Sequence, residues 1–189
     1  NAIGDTTTGI VQVTIDGNVA ELDDLTANAS QSATCTYTIT VDDVATVAQG
    51  KAIVDATSVA TVDFSAAGIS DALASYIAAG VNTVHASLTA ITGKDANVNL
   101  NITPALNNIT ADQVTQLNNI AATTDGTLTV TIDGTSTILS GLGASGSSAV
   151  RNFTITVNDV ATVTQGKVIV DATALAAVDF STAGLTGAL

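Results

Sequence analysis

Aspartate recurs at matched places along the chain: Asp16 and Asp133, Asp43 and Asp159, Asp55 and Asp171, Asp63 and Asp179. Carboxylates repeated at a fixed period could line one edge of a stack of strands and hold hard cations. Calcium takes roughly six to eight oxygen ligands, so such an edge is where it would bind. Asp43, Asp63, Asp159 and Asp179 are the candidate calcium ligands, and calcium is the one cofactor the residue types suggest. The competing role is local. Asp16 and Asp133 each precede a glycine, as in turns, and Asp43 and Asp159 stand where a helix N-cap belongs. Neither a D-x-[DN]-x-[DN]-G loop nor a G-G-x-G-x-D nonapeptide occurs, so caps and turns are the stronger expectation.

Other chemistry is thinly represented. "GLGASG" at 141–146 fits G-x-G-x-x-G, but a dinucleotide site needs a strand directly before it and a helix after it. Here the next strand begins near Phe153, so a loop is expected. His85 is the single histidine, set in the strand-like "VNTVHA" (81–86) without a second histidine or a paired cysteine. No G-x-S-x-G and no repeated Ser–His–acid set is present, and an enzyme is not expected. Lys51 and Lys167, each four residues before an aspartate, belong to a segment written twice.

The balance of charge narrows the partners. Seventeen acidic residues face four Lys and Arg, for a net charge of −13, which disfavours nucleic acid and anionic membrane surfaces. Hydrophobic residues are 46% and aromatics 3%, so any core is built from small and β-branched side chains suited to thin, closely stacked layers. No apolar run is long enough to span a membrane. Cys35 is alone and reads as a small buried hydrophobe rather than a cross-link to another chain. There is no methionine, from which we expect a processed product or an internal piece of a longer chain.

The positioning elements follow from a repeat. Residues 38–73 match residues 154–189 at 26 of 36 positions with an offset of 116, and "GIVQVTIDG" (9–17) matches "GTLTVTIDG" (126–134) at an offset of 117. Residues 1–117 form one full period and 118–189 a partial second one, starting and stopping in phase at Asn1 and Leu189. Within each period, alternating stretches predict strands at 11–15, 36–41, 61–64, 81–86, 98–102, 127–132, 152–157 and 177–180. Between them apolar residues recur three and four apart, as in Ile69/Leu73/Ile77, Leu88/Ile91 and Val114/Leu117/Ile120, which predicts short helices. Thr110 and Gln113 form a capping box, and Pro104 is expected just beyond a strand. The doubled "QGKAIVDATSVATVDFSAAG" reads as a helix end, a glycine turn and the next strand. The fold class expected is α/β, a repeat solenoid of short parallel strands alternating with short helices; tandem all-β sandwich modules are the alternative.

The stretches "VDFSAAGISDALASYIAAGVNTV" and "ITADQVTQLNNIAATTDGTLTVTIDGT" resemble the repeat regions of giant secreted or cell-surface bacterial proteins. These are of the adhesin and surface-layer type found in marine bacteria and cyanobacteria. The resemblance implies a secreted or cell-surface location and a structural role in a stalk, surface layer or filament. Its partners would be other copies of itself or continuing repeats. The rival expectation is an adhesin module binding glycans or another surface, with calcium as an aid.

Overall fold

The alternating stretches form parallel strands in the computed structural model, which describes residue 3 and residues 6–58, 60–64, 66–146 and 148–187. Asn1 and Leu189, which bound the two sequence periods, lie outside the described residues. The strands are Ile10–Gly17 (β1), Thr34–Val41 (β2), Val62–Asp63 (β3), Ile69–Asp71 (β4), Leu100–Leu106 (β5), Thr127–Gly134 (β6), Val150–Val157 (β7), Ala161–Thr162 (β8), Val178–Asp179 (β9) and Leu185–Thr186 (β10). They pair in the orders β1-β2-β3, β4-β5-β6-β7-β9 and β10-β8, and every such pair is parallel. Parallel neighbours need a crossover. Short helices supply it: Val19–Leu22 (α1), Val47–Asp55 (α2), Leu73–Tyr76 (α3), Ala86–Lys94 (α4), Ala111–Ala121 (α5), Ser136–Leu139 (α6) and Val163–Asp171 (α7). The chain is therefore mixed α/β with parallel sheets, and the all-β sandwich alternative is set aside.

The two sequence periods fold alike. β1 meets β2 from Ile10 opposite Thr34 to Gly17 opposite Val41, and β6 meets β7 from Thr127 opposite Val150 to Gly134 opposite Val157. β2 and β7 bury the same alternate positions, among them Tyr37, Ile39 and Val41 against Phe153, Ile155 and Val157. The capping box foreseen at Thr110 and Gln113 recurs at Thr46/Gln49 and Thr162/Gln165, opening α2 and α7. Lys51–Asp55 and Lys167–Asp171 are exposed i,i+4 ion pairs on those helices, so the doubled lysine decorates a helix surface.

Four local expectations are corrected. Residues 81–86 are not a strand: His85 is the N-cap of α4, its Nδ1 accepting from the Ser87 amide at 3.1 Å. Leu88 and Ile91 on that helix, both fully buried, are what anchors it. Ile69 belongs to β4 instead of sharing a helix with Leu73, because its amide donates to the Asn99 carbonyl at 2.8 Å. Gly50 is no turn but the middle of α2, where a β-carbon would touch the Ile69 and Ile91 side chains at 2.9 and 3.0 Å. Pro104 lies inside β5, at the place where register with β6 shifts between Ile102 and Leu106.

Tyr76 ties two strands together. It is fully buried, and its hydroxyl lies 3.1 Å from the Ile69 carbonyl and 2.9 Å from the Asn101 carbonyl. Burial, with Asp71 nearby, pushes the phenol well above its usual range. Tyr76→Phe is expected to lower unfolding free energy by about 1–2 kcal/mol in urea titration, since two carbonyls then share no hydroxyl.

Candidate functional site

The aspartates do structural work across units. Asp43 Oδ1 accepts from the Val19 amide at 2.6 Å, at the start of α1, 24 residues earlier. Asp159 Oδ1 does the same for the Ser136 amide at 2.5 Å, at the start of α6. Asp71 Oδ2 reaches the Val47 amide at 3.2 Å, opening α2, and Asp133 Oδ1 takes the Asn108 amide at 2.6 Å. So Asp43 and Asp159 do cap helices, but those of the preceding unit. The threonines of the capping boxes, Thr46 and Thr162, already serve the helices that follow them. Asp16 and Asp133 end strands β1 and β6 instead of forming turns.

The four candidate calcium ligands are spread out. Asp43 and Asp159 are engaged as above. Asp63 shares a row with Asp16, but Thr40 of the middle strand stands between them. That separates their strands by about 9.6 Å, two parallel spacings. Asp179 Oδ1 accepts from the Ser181 amide at 2.7 Å, and hydrogen bonding from the Ser181 hydroxyl, then from this amide, holds its carboxyl below the usual value. Among the described residues, no group of three or more His, Cys, Asp or Glu is placed to hold a metal ion. His85 is occupied as a cap, and Cys35 is buried with its thiol 3.2 Å from Gln31 Oε1.

One acidic contact differs between the periods. Displacement of water by its neighbours, then Asp16, and then Asp43 and Glu21, raise the Asp42 carboxyl above its usual 3.8. At the matched place the second period has Asn158, whose amide donates to Asp133 Oδ1 at 2.9 Å. An acid whose folded value is raised favours folding below its unfolded value, and that support disappears as pH rises through the folded value. Asp42→Asn is therefore expected to raise the melting temperature at pH 7. The gain should vanish below about pH 3.8, where both side chains are neutral. Thermal melts across pH check this; an equal gain at every pH contradicts it.

Sequence reasoning missed the feature that most sets this molecule apart: matched residues differ in burial according to which has a neighbour. Ile69 is 1% exposed and Leu185, its counterpart, 54%. Val54 is 3% and Val170 49%; Val47 is 3% and Val163 38%. Phe64 is fully buried, whereas Phe180 is half-buried. The outer members lie on α7, on β10 and directly after β9, leaving an open apolar end. In the first period the same surface is covered by α4 and by the segment leading into β5. At the opposite end, Ile10 and Val13 of β1 are exposed, while Thr127 donates its amide to Asn99 just before β5 and Val130 pairs with Ile102 of β5. Glycines record the same contrast. A β-carbon on Gly68 (φ +78°) would press on the Asn99 carbonyl at 2.7 Å, but one on Gly184 (φ +75°) would meet nothing within 4 Å. Burial needs coordinates, but the offset of 116 already marks the pairs to compare.

No helix among the described residues is long and apolar enough to cross a membrane. No protein-family model, curated protein or solved structure matches the chain.

Proposed function

We propose that this chain is part of an extracellular structural repeat protein. It is a solenoid of short parallel strands and short helices that grows by adding units end to end into a stalk, surface layer or filament. The supporting observation is the paired burial: the inner member of each pair is buried by the next unit, and the outer member offers the same apolar surface. Stacked repeats behave this way, since each touches only its neighbours and the ends stay open without a cap. The aspartate caps add to this, because each joins one unit to the next. Sparse lysine and arginine, with no methionine or tryptophan, suit a chain exposed to proteases and oxidants.

The test is growth in one dimension. Solution scattering and electron microscopy should show a chain lengthened by one further 116-residue period extending by about 19 Å at constant cross-section. That is four strand spacings of ~4.8 Å. A rounder particle of greater cross-section would overturn the reading.

A further inference from the structure

Resting on that structural reading, we propose which unit the open apolar end accepts. It is a polypeptide unit patterned like residues 74–106, comprising an α4-type helix followed by a β5-type strand. The β1 end of a second copy is the wrong occupant.

The first period shows how this surface is filled. Ile91 of α4 enters the space over Gly50, where a β-carbon would lie 3.0 Å from its Cδ1. Lys94 Nζ donates to the Ser58 carbonyl at 2.6 Å, and Asp95 Oδ2 accepts from the Phe64 amide at 2.8 Å. The Ile69 amide donates to the Asn99 carbonyl at 2.8 Å, starting the β4–β5 ladder. Most of these contacts are made to backbone or to glycine, so side-chain differences between the periods leave them intact. In the second period the places of Gly50, Ser58, Phe64 and Ile69 are taken by Gly166, Ala174, Phe180 and Leu185. A β-carbon on Gly166 would meet Leu185 and Phe180, but nothing in the role of Ile91. Leu185 sits against β8 as Ile69 sits against Ala45, which keeps its other edge turned toward an incoming strand. A successor therefore needs an aliphatic residue for Ile91, a cation for Lys94 and an acceptor for Asp95.

Phase excludes the β1 end. β1 corresponds to β6, and β6 follows β5 in the sheet rather than β4. Setting β1 of another copy directly on β10 skips one unit. It also lacks the cation named above: α1 ends at Leu22 and is followed by Asp23 and Asp24, with no lysine anywhere in residues 10–33.

Three chains decide the matter: the full chain extended after Leu189 by a copy of residues 74–106, the same extension carrying Asp at the Ile91 place, and the full chain extended instead by a copy of residues 10–33. Hydrogen exchange at α7 and β9 is the readout. The first extension is expected to slow exchange of these amides about tenfold or more, and the other two to leave it unchanged. Mixing the unextended chain with a synthetic 74–106 peptide, and following the same amides, provides a second measurement. Equal protection by the 10–33 extension, or tight pairing of unextended chains through this end, would overturn the assignment while leaving end-to-end growth standing. No protection from any extension, together with a lengthened chain that fails to elongate, would overturn both.

Discussion

Gly126→Ala is expected to lose about 3 kcal/mol or more of unfolding free energy, while Gly9→Ala stays within about 0.5 kcal/mol of the parent. The two glycines hold the same place, directly before β6 and directly before β1. Both offer a carbonyl to the following strand, Gly9 to the Thr34 amide at 3.0 Å and Gly126 to the Val150 amide at 2.9 Å. Neither has a positive φ, so alanine is acceptable to the backbone at both. What differs is the preceding unit. A β-carbon on Gly126 would strike the Asn97 carbonyl and lie 2.5 Å from the Val98 carbonyl. Those are backbone atoms, and the Thr124 hydroxyl holds the Val98 carbonyl at 2.7 Å. Relief then requires parting β5 from β6. A β-carbon on Gly9 meets only Thr7 Oγ1, at 3.6 Å. Urea titration of both variants measures the gap; equal losses would show that the preceding unit is not the cause.

Arg151→Ala comes next, at about 2–3 kcal/mol. Arg151 is 4% exposed, and burial holds its guanidinium below the usual value. Among the described residues no carboxylate forms an ion pair with it. Instead Nη1 donates at 2.8 Å to both Asn118 Oδ1 and the Gly143 carbonyl, and the group stands 5.8 Å from the centre of the Phe153 ring. Asn118 also accepts from the Gly143 amide at 2.8 Å and donates to the Gly141 carbonyl at 3.0 Å. Together the two side chains pin the glycine-rich stretch that resembles a nucleotide loop. Truncation leaves those acceptors buried and short of a donor. Faster hydrogen exchange over residues 141–146 should accompany the loss; unchanged exchange there would contradict the pinning role. Arg151→Cys, copying the matched Cys35, should not rescue it, since Cys35 is matched with its own partner Gln31.

Where local pattern and tertiary surroundings agree, residue type alone locates the element. "TYTITV", "TLTVTI" and "NFTITV" alternate strictly and lie in β2, β6 and β7. Val114, Leu117 and Ile120 repeat every three residues and line the buried face of α5. Agreement ends where a distant partner decides. Ile69 fits a helix with Leu73 by spacing, yet a carbonyl thirty residues later draws it into a sheet. His85 has strand-forming neighbours, yet the buried pair Leu88 and Ile91 begins a helix directly after it. The matched aspartates were visible as a period, but their acceptors' targets were not. The amides that Asp43, Asp133 and Asp159 meet lie in the previous unit, and no local window contains both. Arg151 was similarly hidden, since its only sequence mark is that it replaces a cysteine.

Those aspartate clips also set a timetable for synthesis. The first amides of α1, α2 and α6 are paired by residues 24, 24 and 23 positions further on. As the chain leaves the ribosome, each helix start stays unfinished until about two dozen more residues have emerged. These three helix starts are thus completed by the unit that follows them. For α1, α2 and α6 the closing of the first turn therefore lags about one unit behind the growing end.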